Sequence, residues 1–189
     1  FGYTGRIMTH DITQWMMNSA GGDFTAELFL EEMAEKLVEM GVPLDRIAVF
    51  VQTPHPTVFG RRIMWHRDKG VEVMVAPIEV RDKDTYINSP IYVVRAEARD
   101  IRKKLHETDP AQDEFGVYPD LREDGVTDYF AMALPFMGGS TEIITFATKA
   151  DGGFTEAQIE VLEEIRMPLA RVAEIFALKH TAGNLLSAY

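Results

Sequence analysis

The chain has 189 residues, 46% of them hydrophobic and 26% charged, a balance that suits one globular domain with extensions and leaves too little length for two. Its formal net charge of −11 would repel a phosphate backbone and an anionic lipid surface, so neither nucleic acid nor membrane is an expected partner. Cysteine is absent, which excludes disulfides, thiolate catalysis, thiol-linked chromophores and Cys-ligated metals, and favours a reducing, cytoplasmic setting. No apolar run is long enough to span a bilayer and no charged-then-apolar leader occupies Phe1 to Met17. Because the first residue is Phe rather than Met, a native start further upstream is expected.

In chain order, Asp11 to Asn18 predicts a short helix with Ile12, Trp15 and Met16 on one side, ended by Gly21-Gly22. The next phrase, Gly21-Gly22-Asp23-Phe24, nearly spells the signature loop of the diguanylate cyclases, but Phe24 stands where a second acidic residue belongs. Leu28, Phe29, Leu30, Met33, Leu37 and Met40 follow at helical spacing, so Thr25 is an N-cap and the phrase opens a helix that Gly41 and Pro43 stop. The same grammar returns at Gly152-Gly153-Phe154-Thr155, where Thr155 and Gln158 form a capping box.

Between these helix starts, Arg46 to Thr53 is apolar and β-branched and predicts a buried strand, which Pro54 and Pro56 force the chain to leave. Arg62 to Arg67 and Val71 to Ala76 flank the turn Asp68-Lys69-Gly70 and predict a hairpin, completing a three-stranded meander. Ser89-Pro90 reads as a cap with proline at the first helical position, and Ile91, Val94, Ala98, Ile101 and Leu105 extend one apolar face down to His106. A long acidic connection to Asp128 reads as a solvated loop, and the cations from Arg95 to Lys104 pair with that loop, face an anionic ligand or stay solvated. Strands Tyr129 to Phe136 and Thr141 to Thr148, joined by Met137-Gly138-Gly139-Ser140, precede a long helix from Thr155. The sum is an α+β domain, an antiparallel β-sheet flanked by helices.

Catalytic chemistry is not apparent. None of the five histidines has a helical partner at i, i+4 that would aim two imidazoles at one metal, and no serine sits in a glycine-flanked elbow. The carboxylates between Asp109 and Asp128 lack the order of a calcium loop. Hence no catalytic residue, metal ligand or cofactor is assigned. Ten methionines either fill irregular core gaps or border a pocket that tolerates a guest.

The terminal helix carries two apolar stripes. Leu162, Ile165, Leu169, Val172 and Phe176 form the first, with Pro168 expected to kink it, and Ile175, Leu178, Ala182, Leu185 and Tyr189 form a second, rotated by one position. One domain buries one stripe, so the second predicts a homodimer through a parallel coiled coil and a polypeptide that continues past Tyr189.

Two resemblances follow from these phrases. GGFTEAQIEVLEEI, Gly152 to Ile165, with the order of elements, resembles the small-molecule-sensing GAF domains. More narrowly, Val42-Pro43-Leu44-Asp45-Arg46, His55-Pro56, Ser89-Pro90-Ile91, Thr127 to Phe136 and Ile144 to Thr148 resemble the N-terminal regulatory region of bacterial class III adenylate cyclases, and Leu178 to Tyr189 resembles the helix that leads there to the catalytic domain. The resemblance implies a sensor domain at 23–176 after a helical extension at 1–22, with a coiled-coil linker starting at 177–189 and a covalently linked cyclase domain beyond. The fragment itself lacks the paired metal-binding aspartates of such a cyclase, so it is a cytoplasmic regulator and not the enzyme. A ligand, of unknown identity, is expected between the sheet and the Pro90 to Leu105 helix, with Trp65, His66, Tyr86 and Tyr129 as candidate liners. The alternatives are a ligand-free dimerisation module and, last, a free-standing enzyme; the methionine sulfoxide reductase chemistry of some GAF folds needs cysteines that this chain lacks.

Overall fold

The computed structural model describes the backbone of residues 2–187 and the side chains of residues 9–184. Six strands, β1 (Arg46–Gln52), β2 (Val58–His66), β3 (Gly70–Pro77), β4 (Ile101–Lys103), β5 (Asp128–Pro135) and β6 (Thr141–Thr148), form one sheet in the order β3-β2-β1-β6-β5-β4. Every neighbouring pair is antiparallel. Alternation along each strand divides the side chains between two layers.

One layer holds the helices α1 (Gly2–Ala20), α2 (Ala26–Glu39), α6 (Glu156–Glu164) and α7 (Arg166–Ser187). Ile47, Ile63, Trp65, Phe130, Met132, Leu134, Ile144 and Phe146 meet them from the sheet, and Met16, Met33, Leu37, Leu162, Ile165 and Val172 are fully buried on the helix side. The other layer holds α3 (Asp84–Ile87), α4 (Pro90–Glu97) and α5 (Val117–Glu123). There Ile91, Val94, Tyr118 and Leu121 pack on Tyr129, Ala131, Ala133, Ile143 and Ala147.

The caps act where the sequence places them. Thr25 Oγ1 accepts from the Leu28 amide at 3.2 Å, and Thr155 and Gln158 exchange the two bonds of a capping box. The final helix divides at Ile165, three residues before Pro168: lacking an N–H, the proline leaves the Glu164 carbonyl without its helical donor, and α6 ends there. The β5–β6 turn is a hairpin in which Phe136 donates to the Ser140 carbonyl at 2.9 Å.

Three expectations need correction. The first helix begins well before Asp11 and is anchored in the main core through Ile12, Met16 and Ala20. The Pro90 helix stops at Glu97, because Ala98 adopts a left-handed conformation (φ 50°) and Ile101 to Lys103 pair with β5 as an edge strand. Asp100, between them, accepts from the Ala133 amide at 2.9 Å and from the Arg166 guanidinium, a bond to the sheet and to α7 that a continuing helix would forfeit. Finally, the acidic connection is not simply solvated. It contains α5, and Asp113, only 4% exposed, takes a two-pronged bond from Arg122 at 2.8 and 2.9 Å with Lys103 at 3.7 Å. Asp128 is wholly buried and holds Arg102 at 2.9 Å and the Phe154 amide at 3.1 Å.

Candidate ligand cavity

A cavity of about 430 Å³ lies between the sheet and the α3–α4–α5 layer. Its origin is visible in the sheet register. Ala48 pairs with Met64 on one side and Thr145 on the other, and Thr145 pairs with Ala131, so three small side chains follow one another across this face. Short side chains do not reach the layer above, and the space between is left open. Tyr86, Pro90 and Ile91 wall it on the helix side, Phe50, Phe59, Met64 and Tyr129 line it from the strands, and the exposed Met74 stands at its mouth. Phe59 and Tyr86 meet edge to face at 4.9 Å, which fixes that wall.

The polar groups are arginines. Arg46, Arg62 and Arg95 direct their side chains to the cavity, and among the described residues no carboxylate borders it. Arg61, in phase with Ile63 on β2, turns to the other face of the sheet and reaches Glu27 of α2 at 3.4 Å. Arg95 is committed elsewhere, bonding the Tyr86 hydroxyl at 2.7 Å and Glu142 at 3.0 Å. Burial pushes the Glu142 carboxyl upward against the opposing pull of Arg95, and the Gln52 amide supplies a further bond at 3.0 Å. Arg62 extends only to Glu72 at the rim, at 3.6 Å, and Arg46 forms no ion pair among the described residues. The Nε atoms of both Arg46 and Arg62 are buried without a hydrogen-bond partner. Burial lowers the Arg46 guanidinium below its ordinary value, with the neighbouring Arg62 adding to the effect, yet an arginine so displaced still carries its charge.

The four expected liners separate. Tyr86 and Tyr129 border the cavity, Tyr86 from α3 and Tyr129 from β5. Burial raises the Tyr129 phenol, which therefore stays protonated, and Thr145 is its hydrogen-bond neighbour. Trp65 is a correction: it pairs with Ile47, one residue out of phase with Met64, and points into the α1–α2–α7 core. His66 shares the cavity's face but lies one row beyond it, opposite Arg46, with Nε2 at 3.9 Å from Glu72. Arg46 and Arg62 escaped the sequence reading. The signal was the alternation Arg46-Ala48-Phe50 against Ile47-Val49-Val51, two faces of one strand with different chemistry.

Of the expected dimer stripe, Ile175 is half-buried and packs against the main core, while Leu178 is 65% exposed and Ala182 is exposed. The side chain of Leu185 and the whole of Tyr189 lie outside the described residues. The first stripe, Leu162 to Val172, is buried within the domain. Among the described residues no helix is long and apolar enough to cross a membrane.

No protein-family model matches the chain, and no curated protein matches it significantly. Solved structures do. The GAF domain of a phosphoenolpyruvate-protein phosphotransferase from Coxiella burnetii superposes with a TM-score of 0.58 at 13% identity, over 94% of this chain and 98% of that one. The GAF domain of a two-component sensor histidine kinase from Bacillus halodurans gives 0.54 at 16% identity, over 80% and 97%. A phycocyanobilin-bound GAF domain of a cyanobacterial phytochrome gives 0.55 at 12% identity, over 91% and 97%. An antiparallel sheet in this strand order, helices on both faces and a long terminal helix therefore give the chain the fold of a GAF domain.

Proposed function

We propose that this chain is a ligand-responsive regulatory domain: the cavity takes a small molecule, and α7 carries its effect to a linked catalytic domain. The observation that carries the reading is the open, largely apolar cavity of about 430 Å³ over small floor residues, on the sheet face opposite α7. Cavities of this size with a few converging polar groups are the usual form of small-molecule sites. The fold neighbours include a sensor kinase domain and a bilin-bound one, which agree with such a role, although this chain offers no cysteine to tether a chromophore. The phrases shared with class III cyclase regulators make an adenylate cyclase the proposed output domain. Leu178 and Ala182, exposed on α7, make a homodimer through that helix the proposed assembly, with Ile175, Leu185 and Tyr189 continuing the seam.

The test uses the parent polypeptide, comparing its conversion of ATP to cyclic AMP with that of a version lacking residues 1–189 and with Ala48→Leu, which fills the cavity floor. A rate changed by the deletion, and a metabolite response lost in Ala48→Leu, are the expected results. A parent that makes no cyclic AMP ends the cyclase proposal; a response untouched by Ala48→Leu ends the cavity proposal.

A further inference from the structure

Resting on the reading of the cavity as a ligand site, the structure assigns it a chemical class: we infer that it binds a small organic anion, an apolar body with a carboxylate, phosphate or sulfonate head seated on Arg46 and Arg62. Three observations converge. The interior is apolar and aromatic, as a hydrocarbon or ring body requires, with Phe50, Phe59, Met64 and Tyr86 around it. Its border carries the side chains of three arginines, Arg46, Arg62 and Arg95, and, among the described residues, no carboxylate, although the chain as a whole has a net charge of −11. A positive cavity in so acidic a chain is a local arrangement that the composition does not provide.

The third observation concerns satisfaction. Buried polar atoms are ordinarily hydrogen-bonded, since one left without a partner is costly. Arg95 obeys the rule through Glu142. Arg46 and Arg62 do not: each has a buried Nε without a partner, Arg46 has no ion pair among the described residues, and Arg62 has only the rim contact to Glu72. They sit on adjacent strands, Arg46 paired with His66 and Arg62 with Phe50, separated along β2 by Met64 and opposite the small Ala48. An oxyanion between them would supply the acceptors that both Nε groups lack, in the charge-assisted form that guanidinium favours.

The test uses two fluorescent probes that differ in charge. 8-Anilinonaphthalene-1-sulfonate carries an anionic head, and N-phenyl-1-naphthylamine has the same ring body without it. Binding of each is titrated on the wild-type chain, on Arg46→Met/Arg62→Met and on Ala48→Leu, together with thermal melting of all three. The wild type should bind the sulfonate at least about tenfold more tightly than the neutral probe. The double variant should lose about ten- to a hundredfold in sulfonate affinity, hold the neutral probe unchanged and melt no lower than the wild type. Ala48→Leu should weaken both probes. Equal binding of the two probes, indifferent to the arginines but abolished by Ala48→Leu, overturns the anion assignment and leaves the cavity reading standing. Binding of neither probe, or binding untouched by Ala48→Leu, overturns both. A double variant that melts well below the wild type overturns the assignment in another way, by making the arginines structural.

Discussion

Gly153 illustrates how a missing side chain holds a corner of the fold. Its φ is +71°, and a Cβ there would lie 2.7 Å from the Cβ and the Oδ2 of Asp128. That carboxylate is buried and already engaged with Arg102 and the Phe154 amide, so it has no room to yield. Gly153→Ala should lower stability by about 2–4 kcal/mol in a denaturant titration, through clash and backbone strain together. His66 gives a second expectation. Burial, with Arg46 adding, holds its imidazole below the ordinary value of 6.5. Between that lowered value and the unfolded one the unfolded chain binds more protons, so the contribution is present above about pH 6.5 and is lost as pH falls through this window. His180 is lowered for the same leading reason. His66→Gln should therefore remove part, not all, of the decline in melting temperature on acidification; a profile identical to the wild type's would count against it.

At the scale of elements, α7 is tied to the sheet and to α1 by polar side chains in addition to its buried apolar stripe. Glu174 accepts from the amides of Met137 and Gly138 at 2.9 and 3.1 Å, and Arg171 braces it at 3.0 Å while donating to the Pro135 carbonyl. Lys179 donates to the carbonyls of Ala20 and Gly22 at the end of α1, at 2.9 and 3.2 Å. Glu174→Ala should cost only about 1 kcal/mol, since the freed amides turn to water. Hydrogen exchange at Met137 and Gly138 should nevertheless quicken, and unaltered exchange would show the latch to be idle. The proposed seam has its own check: Leu178→Glu with Leu185→Glu should convert a dimer to a monomer in analytical ultracentrifugation.

The elements also show what a single strand of letters conveys. Caps such as Thr25 and Thr155 are local and were legible, as were the strands from Arg46, Tyr129 and Thr141, short apolar runs enriched in β-branched or aromatic residues. The segment after Pro90 was misread because Ile101 and Leu105 repeat at helical spacing, while the pairing of Ile101 to Lys103 with β5 depends on Tyr129 to Ala131, far along the chain. The cavity liners divided for a similar reason. Trp65 and Tyr129 look equally suited to a ligand in sequence, but which face each strand turns inward is decided by its neighbours across the sheet. The unsatisfied Nε groups of Arg46 and Arg62 were beyond reach altogether, because a missing partner is a property of space.

For the whole molecule, the sheet is a single sheet of strands separating two chemistries: arginines and a cavity on one side, α7 and the main core on the other. An occupant has no direct route to α7 and must act through the strands themselves, of which β5 and β6 join the turn that Glu174 grips. If ligand binding is coupled to α7 in this way, Glu174→Ala in the parent polypeptide should blunt the response to ligand without abolishing probe binding in the isolated domain. A full response in that variant would place the coupling elsewhere.

The alternation along β1 has a consequence for how such a domain can diversify. Arg46, Ala48 and Phe50 border the cavity, while Ile47 and Val49, interleaved with them, meet the core. Substitutions at every second position can therefore retune what is recognised, while the intervening ones preserve the scaffold. A lineage carrying this strand is free to reshape its cavity in small steps, each one tolerable, without first having to rebuild the core on the other face.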